Sequence, residues 1–324
     1  MPPMTPAARA QLQIHACVLL WGFTAILGRL ITLPSLPLVW WRMTLVTALL
    51  ALTPRAWRGW KAMTPRLALA YAAIGVVVAA HWLTFYGAVK LANASIAATC
   101  MALSPVFQAV IEPAVAGRRF DPRELLLGLA VVPGVALVTG GVSPAYRVGI
   151  AVGVVSAALA SLFGAFNKRL VSHGDPLAIT WLELGAGAAV LTLVGPLVPV
   201  EPPAILSGWR TLAGLAPFAT ADLSLWVLPG ARDLALLLAL AIGCTIVPFT
   251  LSLVALRHLS AFAATLVINL EPVYSIVLAI PLLGEQRELS PGFYAGVAII
   301  LAAVLIYPRL RRARVEAPTG HTID

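Results

Sequence analysis

The segment VINLEPVYSIVLAI, residues 267–280, sets Glu271 and Pro272 side by side inside a long apolar run. A carboxylate in such surroundings can hold a proton or answer a cation, and it is costly enough to face a cavity or a partner. The proline removes the N–H that the Ile268 carbonyl would receive in an unbroken helix, so a kink is expected there, with a polar carbonyl left open beside the carboxylate. Tyr274 at i+3 and Ser275 at i+4 share the helical face of Glu271. Pro105, in LSPVF, repeats the expected kink with Ser104 in place of the glutamate. For Glu271 the competing reading is a packing kink whose carboxyl is protonated or bonded to a neighbouring helix.

Arg42 and His81 are the next chemical candidates. Arginine cannot shed its charge and must find an anion, a carbonyl or water, and Glu183 is one candidate anion. Histidine can relay a proton near neutral pH, or sit neutral on a backbone bond. Trp21 offers an aromatic wall near the middle of the first apolar run, and Asn269 and Asn167 offer hydrogen bonds that would equally tie helices together. Ser104, Gln108 and Glu112 recur at i, i+4 and i+8 as one polar stripe; Glu112, near the end of its run, is expected to snorkel. Trp40, Trp41, Trp82, Phe85 and Tyr86 are read mainly as interfacial anchors.

The elements that must carry these groups follow from the solvent. With 60% hydrophobic and 11% charged residues and a mean hydropathy of +0.93, the chain lies far outside soluble composition. Cutting it at charge and Pro/Gly clusters leaves apolar runs at 11–31, 36–52, 67–88, 94–116, 124–141, 149–168, 176–198, 233–256, 260–283 and 291–307. Each suits a helix crossing about 30 Å of hydrocarbon. Barrel strands would be shorter and strictly alternating, so the expectation is an all-α polytopic membrane protein with ten transmembrane helices. The first run is read as a span rather than a leader, since it has no convincing small-x-small cleavage site.

Sliding the chain by 167 residues lays AVKLANASIAATCMALSPVF (88–107) on ALRHLSAFAATLVINLEPVY (255–274). Ala94/Ala261, Leu103/Leu270, Pro105/Pro272 and Gly117/Gly284 coincide; after one inserted residue so do Gly128/Gly296, and near the start Phe23/Phe163 and Arg29/Arg169 pair. Residues 11–141 and 149–307 are thus two five-helix repeats. Five being odd, the second enters the membrane from the other side, and two inverted halves around a midplane cavity are the architecture of a secondary transporter.

The segments WGFTAILGRL, LSPVFQAVIEPAVAGRR and LEPVYSIVLAIPLLGE resemble the EamA family of the drug/metabolite transporter superfamily, over almost the whole chain. The resemblance implies carriage of small metabolites, amino acids or drugs, often outward. The chain departs from the family at Gly117-Arg118-Arg119, where Gly-Glu is common, and in a long connection at 199–231 containing Trp209 and Trp226.

The net charge of +9 is scattered over short loops, which argues against nucleic acid. Arg55, Arg58, Lys61 and Arg66, then Arg118, Arg119 and Arg123, and the basic tail 308–324 fall on one side, so the positive-inside rule puts both termini in the cytoplasm of a cell-membrane protein and 199–231 outside. No Walker-A sequence is present, and no H-E-x-x-H, paired-aspartate or G-x-S-x-G pattern supports the rival reading, an intramembrane enzyme. No cofactor and no metal are expected. The partners expected are a small-molecule substrate and the lipid bilayer, and a homodimer stays open. Cys17, Cys100 and Cys244 lie inside apolar runs and read as packing residues.

Overall fold

Thr5 accepts a hydrogen bond from the Ala8 N–H and Pro6 follows it, a start signal that opens the first helix. The same device recurs at Thr64, Asp121 and Asp175, each capping a helix that begins with proline. The computed structural model describes residues 5–140, 142–197, 227–284 and 290–302. Among the described residues the structure is entirely helical. The first copy comprises α1 (Pro6–Leu30), α2 (Ser35–Ala51), α3 (Pro54–Lys61), α4 (Pro65–Leu91), α5 (Ala94–Met101), α6 (Ser104–Ala116), α7 (Pro122–Leu129) and α8 (Val132–Gly140). The second comprises α9 (Arg147–Leu170), α10 (Pro176–Val194), α11 (Ala231–Ala241), a π-helical turn (Ile242–Ile246), α12 (Val247–Leu256), α13 (Ala261–Ile268), α14 (Glu271–Leu283) and α15 (Pro291–Ala302).

Among the described residues seven helical spans are long and apolar enough to cross a membrane, three of them pairing α5 with α6, α11 with α12 and α13 with α14, and an eighth counts if α2 and α3, bent by 88°, are taken together. Each of the ten expected runs holds helix, but among the described residues α7–α8 and α15 fall short of that length. The loop expected at 53–66 is partly helix: Pro54 starts α3, whose Trp57 and Trp60 rings meet Trp181 tilted and edge-on, with centroids 4.5 and 5.8 Å away. The connection at 199–226, with Trp209 and Trp226, and the basic tail lie outside the described residues.

The repeat is carried by geometry as well as by letters. Boundaries of α5 and α13, and of α6 and α14, differ by the same 167 residues that align the sequences. Asn93 caps the Ile96 N–H at 2.8 Å and its counterpart Ser260 caps the Ala263 N–H at 3.1 Å. Gly117 (φ 67°) and Gly284 (φ 70°) end the two helix pairs in the left-handed conformation that glycine alone adopts without strain. Direction inverts between the copies. The end of α1 meets the end of α4 through Lys90 and the Ile31 carbonyl, whereas α9 starts beside Ala92 at the end of α4 and finishes where Tyr71, near the start of α4, donates to the Leu170 carbonyl. Equivalent helices α1 and α9 therefore run in opposite senses.

Large apolar side chains such as Leu12, Leu69, Leu126, Leu193 and Val277 are exposed, while Arg42, His81, Glu112, Glu183 and Glu271 are buried. That arrangement reverses the soluble pattern and suits a lipid solvent. With no hydrophobic force between helices in lipid, close backbone approach replaces it. At Gly75 a Cβ would lie 2.0 Å from the Glu183 carbonyl oxygen, so α4 and α10 touch backbone to backbone.

Candidate functional site

Helices of both copies enclose a cavity of about 1040 Å³, its open mouth included. Trp21 and Thr24 of α1, Arg42 of α2, His81, Trp82 and Phe85 of α4, and Ser104 of α6 line it from the first copy. Ser161, Phe163 and Asn167 of α9, Phe249 and Ser252 of α12, and Thr265 and Glu271 of α13–α14 line it from the second. The walls are aromatic and aliphatic with a few fixed polar groups, the usual make-up of a small-molecule site.

Arg42 is the best-anchored of these. Its Nη1 donates to the Tyr86 hydroxyl (2.7 Å), its Nε to Thr245 Oγ1 (2.8 Å) and its Nη2 to the Cys244 carbonyl (3.1 Å), while the guanidinium carbon lies 3.7 Å from the Trp82 ring centroid. The Cys244 carbonyl is free because Pro248, four residues on, has no N–H to give it. The π-helical turn at Ile242–Ile246 places Thr245 beside it. Among the described residues three of the five guanidinium N–H groups are thereby used, which leaves two. The expected partner, Glu183, is not there: it is fully buried and takes a 3.3 Å bond from Asn167 Nδ2. Arg42 is held instead by hydroxyls, a carbonyl and a ring, because the π turn and Tyr86 reach it first.

His81 is tied to α9. Ser156 Oγ donates to the His81 carbonyl (3.1 Å), so the 2.9 Å contacts from Nδ1 to the Ser156 carbonyl and hydroxyl oxygens assign the proton to Nδ1. Nε2 is then the acceptor. Glu271 lines the cavity at 8% exposure and makes no ion pair within 4.0 Å among the described residues. Among the described residues the Ser104 hydroxyl and Asn167 Oδ1 are buried, cavity-lining polar atoms without a partner.

The structure thus brings Glu271, His81, Arg42 and Trp21 to one cavity and leaves Tyr274 and Asn269 outside its lining. Tyr274 packs against α1, where its Cβ would lie 2.8 Å from a Cβ on Gly22, and Ser275 donates to the Gly22 carbonyl at 3.1 Å. Asn269 donates its Nδ2 to the Ala102 carbonyl at 3.1 Å. Pro272 and Pro105 stand in the first turns of α14 and α6, each after a two-residue break in the helix rather than in the middle of a bent one. Glu112 does not snorkel: at 2% exposure it accepts from the N–H groups of Ala261 (3.2 Å) and Phe262 (2.8 Å), capping α13 from another helix. Arg118, at the departure from Gly-Glu, pairs with Glu112 (3.4 Å) and with Glu124. Trp82, Phe85 and Tyr86, read as anchors, wall the cavity or hold Arg42. Pro248 was the available signal for the Arg42 anchor, by the same reasoning applied to Pro272.

A multi-pass helical membrane protein with a central cavity walled by two repeats belongs to the broad class of carriers. The model of the EamA-like transporter family matches residues 9–140 and again 147–307, and the chain belongs to that family of drug/metabolite transporters. A search of curated proteins found none that matches. A solved crystal structure of a protein is similar over 95% of this chain and 99% of its own, with a TM-score of 0.66 and 19% identity, a likeness of fold.

Proposed function

We propose that the protein is a secondary transporter that carries small amphipathic metabolites, amino acids or drugs across the cytoplasmic membrane by alternating access, with net outward movement. In this reading ten helices span the membrane as two inverted repeats, both termini are cytoplasmic and the substrate sits against Arg42. The observation that carries it is the shared cavity: a permanent cation with two spare donors from one repeat faces an unpaired carboxylate, Glu271, from the other, between aromatic walls. A group with an anionic end and a hydrogen-bond-donating end fits that spacing of charges. Glu271, unpaired, is placed to release a proton when the cavity hydrates, coupling flux to a proton gradient. Counterflow into liposomes containing only the purified protein, with pools of amino acids, nucleosides, sugars and cationic drugs and without ATP, tests this. Saturable exchange of one pool supports it, and flux that strictly requires ATP, or chemical conversion of the solute, removes it.

A further inference from the structure

Among the described residues the cavity's lining does not reach both ends of its helices. Its lining reaches Ile14 of α1, Leu256 of α12 and Ala261 of α13 at one end, but stops at Thr24 in α1 and Phe85 in α4 toward the other. Beyond that point α1 and α4 touch: a Cβ on Gly28 would fall 2.3 Å from Tyr86 Cε1. Behind this contact lies a second closure. Asp233, in the first turn of α11 and 5% exposed, accepts the Thr32 N–H with both oxygens (3.1 and 3.2 Å) and the Thr32 hydroxyl at 2.5 Å. Thr32 follows the last turn of α1, and Lys90, at the end of α4, donates to the carbonyl of the residue before it, Ile31. One carboxylate of the second repeat thus holds the end of α1, to which Lys90 separately ties the end of α4.

At the opposite end Glu112 ties α6 to the Ala261 and Phe262 N–H groups, but among the described residues no carboxylate holds the end of α9 as Asp233 holds the end of α1. Counted from the helix starts at Pro65 and Ala231, Asp233 corresponds to Leu67, and by the 167-residue offset to Arg66; neither side chain can accept a hydrogen bond. The equivalent crossing there, of α4 with the end of α9, holds one neutral bond from Tyr71 to the Leu170 carbonyl (2.8 Å). A charge-assisted acceptor with three contacts is harder to open than one neutral hydrogen bond.

We infer that Asp233 is the bolt on the closed end of the cavity, and that its separation from Thr32 is the step that opens that end during transport. The inference rests on the carrier reading, and its first readout does not need flux. Spin labels at Arg29, in the last turn of α1, and Leu234, beside the bolt, report the gap directly. The parent chain is expected to show one short distance. Asp233→Asn and Asp233→Ala should add a longer population, raised about tenfold or more by the loss of one charge-assisted acceptor. Thr32→Val, which keeps the backbone N–H, should fall between. Unchanged distances in folded Asp233→Asn and Asp233→Ala would overturn the proposal. In a chain lacking Cys17, Cys100 and Cys244, joining Thr32→Cys to Asp233→Cys with a short thiol reagent should stop counterflow until reductant is added. Counterflow that continues through the cross-link also overturns it. Absence of counterflow in the uncross-linked parent would count against the carrier reading, and the distances alone then decide the bolt.

Discussion

Asn269 donates its side-chain amide to the carbonyl of Ala102, the residue 167 positions earlier that is its own counterpart in the first repeat. A residue can touch its symmetry mate only where the symmetry axis passes. The two helix breaks, Ala102–Leu103 and Asn269–Leu270, therefore cross at the pseudo-twofold centre of the molecule, with Ser104 and Glu271 one step on from each. The bond is one-way, since alanine can return nothing, so the asymmetry of the two copies begins at the axis itself.

Asn269→Ala would leave the buried Ala102 carbonyl without this donor. The expected cost is about 1–3 kcal/mol, read as a lower unfolding midpoint of the detergent-solubilised protein. A midpoint equal to the parent's would show that the breaks are held by packing alone.

Arg42→Lys keeps the charge and loses the fork. A lysine cannot meet Tyr86, Thr245 and the Cys244 carbonyl together while lying over Trp82, so counterflow should drop by more than about tenfold in protein that still reaches the membrane. Tyr86→Phe removes one bond to a charged group, ordinarily about 1.5–3 kcal/mol, and should lower flux less than Arg42→Lys does. Equal flux in all three proteins would place the substrate elsewhere.

Glu271→Gln preserves shape and hydrogen bonding while ending titration, and Pro272→Ala returns a donor to the Ile268 carbonyl. The first should flatten the pH dependence of flux. The second should let α13 and α14 join, slowing exchange between the two states more than it weakens binding. Glu271→Gln with the parent's pH profile, beside an inactive Pro272→Ala, would assign the motif to the break alone.

Gly75→Ala is the sharpest packing test. Its Cβ would meet a backbone oxygen of α10 at 2.0 Å, while on the same crossing a Cβ on Gly187 would lie 3.0 Å from the Gly75 carbonyl oxygen. Separating the helices should cost about 1–3 kcal/mol or more, visible as loss of monodisperse protein or a lower thermal midpoint.

Local chemistry was legible in the letters. The 167-residue offset and the prolines at each break are plain in the sequence. Arg42, His81, Glu271 and Trp21 were also legible as cavity residues, because ionisable or amphipathic groups in lipid have few other places to go. Tyr274 was not. Helical periodicity places it with Glu271, but in lipid an apolar face says nothing about whether it meets a cavity or another helix. Glu112 was misread for a related reason: its partners, Ala261 and Phe262, lie 149 and 150 positions away and offer only backbone N–H groups, which no sequence pattern marks.

The constant spacing from Asn93 to Gly117 and from Ser260 to Gly284 has a last consequence. Outside it the two copies have drifted in length: Phe23 and Phe163 differ by 140 positions, Gly128 and Gly296 by 168. Inside it no residue has been gained or lost. One extra residue there would rotate everything beyond it by about 100° and turn Ser104 or Glu271 away from the cavity. The pair of broken helices acts as two matched rulers, equal to the residue at the centre of the molecule while the segments on either side differ in length.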